Sequence, residues 1–183
     1  MPTNQSELTN TNRTAMLTHW PKQSEVRAFY GDPDPNQDGA ADRAWEDSRL
    51  VRIEPPYRMV LAWDPTSRVK TIRVHEKCSA SLLRVLLQIT TIYGSEQLIE
   101  ANRLHLFGGC YNFRTMRGST KLSMHAYGCA IDLDPEYNYL GRPYREADGM
   151  MPMAVVEAFE AEGWTWGGRW KRPDCQHFQA ATV

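Results

Sequence analysis

Two histidines and an aspartate, divided between two distant stretches, constrain this chain more than anything else in it. The first stretch reads Ser123-Met124-His125-Ala126-Tyr127-Gly128-Cys129-Ala130-Ile131-Asp132, and the second Asp174-Cys175-Gln176-His177-Phe178. Two imidazoles and one carboxylate, His125, His177 and Asp132, form a three-ligand set that leaves a position open on zinc, as catalytic sites do. A fold that uses them has to bring both stretches to one point. Asp174 then stands where a carboxylate can take a proton from a water during attack.

Strand alternation makes the first stretch coherent. If residues 128–133 are extended, Gly128, Ala130 and Asp132 share one face, and Cys129, Ile131 and Leu133 share the other. The second face is apolar and suits a core. The first is two small residues leading to a carboxylate, which leaves room beside Asp132. His125 reaches the same point if the chain turns near Tyr127-Gly128. In the second stretch, His177 and Gln179 share a face opposite Phe178. A plainer reading stays open at this level: Asp132 begins a turn before Pro135, Asp174 is a cap, and His125 is an ordinary polar residue.

Length and composition fit a single soluble domain. The chain has 183 residues, 42% of them hydrophobic and 23% charged, with a formal net charge of −1. Nothing in that balance drives it towards nucleic acid or anionic lipid, and no long Lys/Arg block is present. The N-terminal stretch is polar and lacks the apolar run of a secretory signal. The most apolar stretch, Leu82 to Ile92, is broken by Arg84 and Gln88 and is too short to span a bilayer. Synthesis in the cytoplasm without a signal peptide and without a transmembrane segment is the expectation. Cys78, Cys110, Cys129 and Cys175 form no C-x-x-C pair and read as reduced core residues.

The pattern along the chain predicts an α+β single domain, an antiparallel sheet with flanking helices. Residues 1–24 read as a flexible N-terminal segment and 25–183 as the domain, its core motifs in 104–180. Residues 30–39 form an Asp/Pro-rich loop whose spacing does not make a calcium-binding EF-hand. Strands are expected at 50–53, 57–63 and 69–75, with a turn at 64–67. A helix capped by Ser79 or Ser81 ends at Gly94, and a shorter one covers about 95–103. Strands follow at 104–112 and 128–133, with Gly108-Gly109 allowing a bulge or close backbone approach. A helix over 152–163 and closing strands at 164–170 and 175–180 complete the pattern.

Ser-x-His-x-x-Gly-x-Ala-x-Asp followed by Asp-x-x-His-Phe resembles the signature of the zinc D-alanyl-D-alanine carboxypeptidase and L-alanyl-D-glutamate endopeptidase family. That family includes bacterial cell-wall peptidases and phage endolysins. The likeness rests on Ser123, His125, Gly128, Ala130, Asp132, Asp174, His177 and Phe178. It implies a hedgehog/DD-peptidase-like fold, one Zn2+ per chain on His125, Asp132 and His177, and Asp174 as general base. It also implies an arginine that stabilises the oxyanion, which Arg114 fits best, with Arg117 as the alternative. An aspartate at the base position is more like the endopeptidase branch. The implied partner is a peptidoglycan peptide, acted on by a monomer at the cell wall after holin-type release.

Ser123, Tyr127 and Trp166 are further candidates to line a substrate cleft. Trp164 and Trp170 flank Trp166, and core packing of at least two of the three is the plainer account. His75-Glu76 lacks the second histidine of a His-Glu-x-x-His helix, and His19 and His105 stand alone. Two competing functions remain: a zinc-binding domain of the same fold without catalysis, and a thiol enzyme using Cys175 or Cys129, for which no partner is evident.

Overall fold

The structure, a computed structural model, describes residues 19–183. Two short helices come first, α1 (Val26–Tyr30) and α2 (Arg43–Arg49). A two-stranded antiparallel ribbon pairs β1 (Leu50–Ile53) with β4 (Ile72–His75). Between them lies the hairpin of β2 (Val60–Leu61) and β3 (Asp64–Arg68). The long helix α3 (Glu76–Tyr93) and the short α4 (Glu96–Ala101) lead into β5 (Leu106–Gly109) and β6 (Ala130–Leu133). Helix α5 (Met153–Ala161), β7 (Thr165–Trp166) and β8 (His177–Gln179) close the chain. The main sheet has six strands in the order β3-β2-β5-β6-β8-β7, antiparallel except where β2 runs parallel to β5. This is a single α+β domain with a mostly antiparallel sheet.

The core sits against one face of that sheet. Helix α3 buries Cys78, Leu82, Val85, Leu86 and Ile89, and α5 buries Val155, Val156, Ala158 and Phe159. Each fully buried aliphatic side chain of this kind contributes about 1.5–3 kcal/mol. Phe178 of β8 stacks on Phe159, with ring centroids 3.9 Å apart. Its cross-strand partner Ile131 is also fully buried. The next residue along each strand, Asp132 and His177, therefore faces away from the core. The cross-strand register pairs Asp132 directly with His177.

Several local expectations shift. The turn lies at Ala62-Trp63, and residues 64–68 are strand, not turn. Antiparallel pairing with β2, Val60 against Arg68 and Leu61 against Asp64, makes this stretch strand, while the Asp64 carboxylate accepts from the amide and hydroxyl of Thr66 and from the hydroxyl of Ser67. Helix α3 begins at Glu76, before both expected caps, because Nδ1 of the buried His75 accepts from the Lys77 amide. The strand expected at 128–133 begins at Ala130. The one expected at 164–170 ends at Trp166, where a 3-10 turn, Gly167–Arg169, takes over.

The flexible segment expected over 1–24 lies mostly outside the described residues. Within them, Trp20 is buried and donates to the Glu162 carbonyl, and Lys22 bridges Thr182. In the acidic loop, the Asp34 carboxylate accepts the amides of Asp38 and Gly39. All four cysteines are buried and unbridged. Among the described residues, no helix is long and apolar enough to cross a membrane.

Candidate metal centre and its cleft

The two distant stretches converge. His125 rides on a 3-10 turn, Met124–Tyr127, capped by the Ser123 hydroxyl, which accepts from the His125 amide. The turn ends at Gly128 with φ +65°, and a Cβ there would also meet the His75 amide at 2.9 Å. Glycine suits both demands, and the reversal aims His125 back at Asp132. Asp132 gains its own space from Gly108. A Cβ at 108 would lie 2.9 Å from the Asp132 Cβ, and the β5–β6 register slips between Phe107 and Gly109. The close approach anticipated at Gly108-Gly109 is thus real.

His125 Nε2, His177 Nδ1 and Asp132 Oδ1 lie 3.0–3.2 Å from one another. Their neighbours fix which atoms carry protons. His125 Nδ1–H donates to the Cys110 carbonyl at 2.7 Å, which leaves Nε2 with its lone pair. Gln179 does the same for the second ring. Its amide nitrogen donates to the Ala181 carbonyl, so its oxygen faces His177 and accepts from Nε2–H at 3.2 Å. Nδ1 of His177 therefore presents a lone pair as well.

Three electron-pair donors drawn this close repel one another unless a cation lies among them. The residues fit a metal ion, and they form the one group of this kind among the described residues. Burial disfavours the charged form of Asp132, but His125 and His177 overcome this and hold its carboxyl well below the ordinary carboxylate range. Burial lowers the pKa of His177, yet the Asp132 carboxylate beside Nδ1 favours a positive charge there and leaves it raised.

The trio opens into a cleft of about 470 Å³. Asp174 lines it, from a loop that the Gly167 carbonyl holds through the Asp174 amide. A Cβ at Gly167 would collide with the Asp174 carbonyl at 2.6 Å, so the paired glycines seat this loop. Burial raises the Asp174 pKa above the ordinary value, against the hydrogen bond donated by the Gln176 side chain. Arg114, Arg117 and Ser123 line the same cleft.

Tyr127 and Trp166 fall outside this cleft. Tyr127 faces a neighbouring groove and packs near Tyr30. Trp166 is buried, stacked beside Phe178, and its indole donates to the Cys175 carbonyl. Trp170 lines the wall instead, its ring centroid 5.4 Å from that of His177. The 3-10 turn explains the exchange. Unbroken alternation would keep Trp164, Trp166 and Trp170 on one face, whereas the turn swings the last of them towards the site. Gln179 and Arg172 were not singled out by sequence. The alternation that pairs Gln179 with His177 was the available signal for the first, and none existed for the second.

A metal-ready trio with an acidic side chain lining the same cleft is an arrangement that metal-dependent hydrolysis could use. The family model described as D-alanyl-D-alanine carboxypeptidase matches residues 117–180, about a third of the chain. The match spans His125, Asp132, Asp174 and His177, and bears out the resemblance drawn from the motifs; Arg114 lies just before it. Comparison with curated proteins and with solved structures gave no match.

Proposed function

We propose that this chain is a zinc metallopeptidase that hydrolyses an amide bond in peptidoglycan stem peptides, either L-Ala–D-Glu or D-Ala–D-Ala. The observation that carries the reading is the convergence of three lone pairs whose ring tautomers are fixed from behind, in the cleft that Asp174 lines. In this reading His125, Asp132 and His177 hold zinc. The ion, when bound, supplies Lewis acidity towards the scissile carbonyl and makes water more acidic.

The chain's own residues do the rest. Asp174 accepts a proton from the attacking water at a carboxyl oxygen and returns it to the leaving amine nitrogen. Its raised pKa makes it a better base than an exposed aspartate. Arg114, or Arg117 as the alternative, places a guanidinium against the negative charge that develops on the carbonyl oxygen. Ser123 positions His125 through the cap of its turn, a supporting role in place of the substrate contact anticipated for it. The reading extends to cell-wall lysis or remodelling of the kind performed by phage endolysins.

Metal analysis of the purified chain together with mass spectrometry of digested peptidoglycan tests this. About one zinc per chain and a single class of cleaved amide are expected. Zinc binding with no cleavage of any wall peptide would favour the non-catalytic alternative.

A further inference from the structure

Most arginines of this molecule face a carboxylate: Arg84 pairs with Glu162, Arg169 with Glu160, and Arg103 with both Asp134 and Glu136. Three do not. Arg114, Arg117 and Arg172 form no ion pair among the described residues; Arg114 makes only a 3.4 Å contact to the Thr115 carbonyl. All three line the metal-site cleft. They come from two separate segments. Arg114 and Arg117 belong to the hairpin in which Thr115 bridges Leu122, while Arg172 lies on the loop that delivers Asp174. The acidic side chains facing them in the cleft are Asp132 and Asp174 alone, and the first belongs to the metal trio.

We infer that Arg172 is a substrate-binding residue that takes a carboxylate of the peptide, so that the substrate carries acidic groups reaching both the hairpin and the Asp174 loop. This rests on the peptidase reading above and narrows it to acidic peptides. A guanidinium suits the task because it stays charged and offers paired donors in a fixed fork that matches a carboxylate. An unpaired arginine also avoids the competition that an internal carboxylate would impose. Placed two residues before Asp174, it would fix the substrate's position relative to the base.

The test uses a synthetic stem peptide with free carboxyl groups and the same peptide with those groups amidated. Arg172→Ala should raise KM for the free-acid peptide on the order of ten-fold, with a smaller effect on kcat. Its effect on the amidated peptide should be much smaller. Arg172→Lys should recover part of the loss, and the difference should shrink as salt screens the exposed charge. Equal KM changes for both peptides, or none, would overturn the inference. Calorimetric binding of both peptides to the wild-type chain and to Arg172→Ala separates this outcome from failure of the peptidase reading. If the wild type cleaves neither peptide, a preference for the free acid that depends on Arg172 still upholds the binding site, and its absence removes it.

Discussion

On one side of the cleft every group that presents an electron pair to the metal position is held from behind; on the other, three guanidiniums are held by almost nothing. His125 is anchored by the Cys110 carbonyl and His177 by Gln179, and Asp132 is fixed by strand register and the space at Gly108. Arg114, Arg117 and Arg172 have no comparable restraint. The difference separates two tasks. A metal site needs its lone pairs aligned in advance, whereas a substrate clamp needs charges that are unoccupied until the substrate arrives.

The held side can be broken most severely at a ligand. His125→Ala should lose both zinc and hydrolysis, a fall in kcat/KM of at least about 10³-fold, since the ion carries several kcal/mol of charge stabilisation. Metal analysis and peptide turnover on the same preparation check it; retained zinc with lost turnover would remove His125 from the trio. Asp174→Asn should instead keep the metal and lower kcat by roughly 10²–10⁴-fold, the usual range for losing a general base. Full activity in that variant would end the assignment of Asp174. Gln179→Leu probes the support behind His177 without touching a ligand. It should weaken zinc binding about 10- to 100-fold in a chelator competition, because the ring loses the acceptor that selects its tautomer. Unchanged affinity would mean that the strands alone orient the ring.

Those supports differ in how far the sequence announced them. Period-two alternation over 130–133 and 177–179 is local, so the opposition of Phe178 to His177 and Gln179 could be read directly, as could the helices ending near Gly94 and Gly163. The cap of α3 could not, because His75 takes that role only once β4 is paired and buried. Helices α1 and α2 were equally hidden. They are too short to be stable by propensity, and tertiary contacts hold them: the Tyr30 hydroxyl donates to the Ala180 carbonyl, and the Trp45 indole to the Tyr30 carbonyl. The cleft wall was misread at Trp166 for a related reason. Two glycines admit a 3-10 turn whose position depends on the approach of Asp174, a contact across the fold.

The smallest effect sharpens the contrast between occupied and unoccupied arginines. Arg84 grips Glu162 through two hydrogen bonds of 2.8 and 2.6 Å, with Ser81 donating a third, and so ties α3 to the end of α5. Those bonds, led by Arg84, hold the Glu162 carboxyl below its ordinary pKa of 4.5. A depressed carboxylate stabilises the fold above the unfolded pKa, and that contribution disappears as pH falls through the folded value. Glu162→Gln should therefore cost about 1 kcal/mol at neutral pH, given that Arg84 is half exposed. That corresponds to roughly 2–4 °C in Tm for a chain of this size. The gap to wild type should narrow as pH falls past the ordinary carboxylate range and close only below the depressed folded value, where Glu162 is protonated in both states. Arg172→Ala, lacking any partner to lose, should leave stability within about 0.5 kcal/mol at every pH. If thermal denaturation showed a comparable, pH-dependent loss for Arg172→Ala, that guanidinium would be a structural tether like Arg84, and the division between the two sides of the cleft would fail.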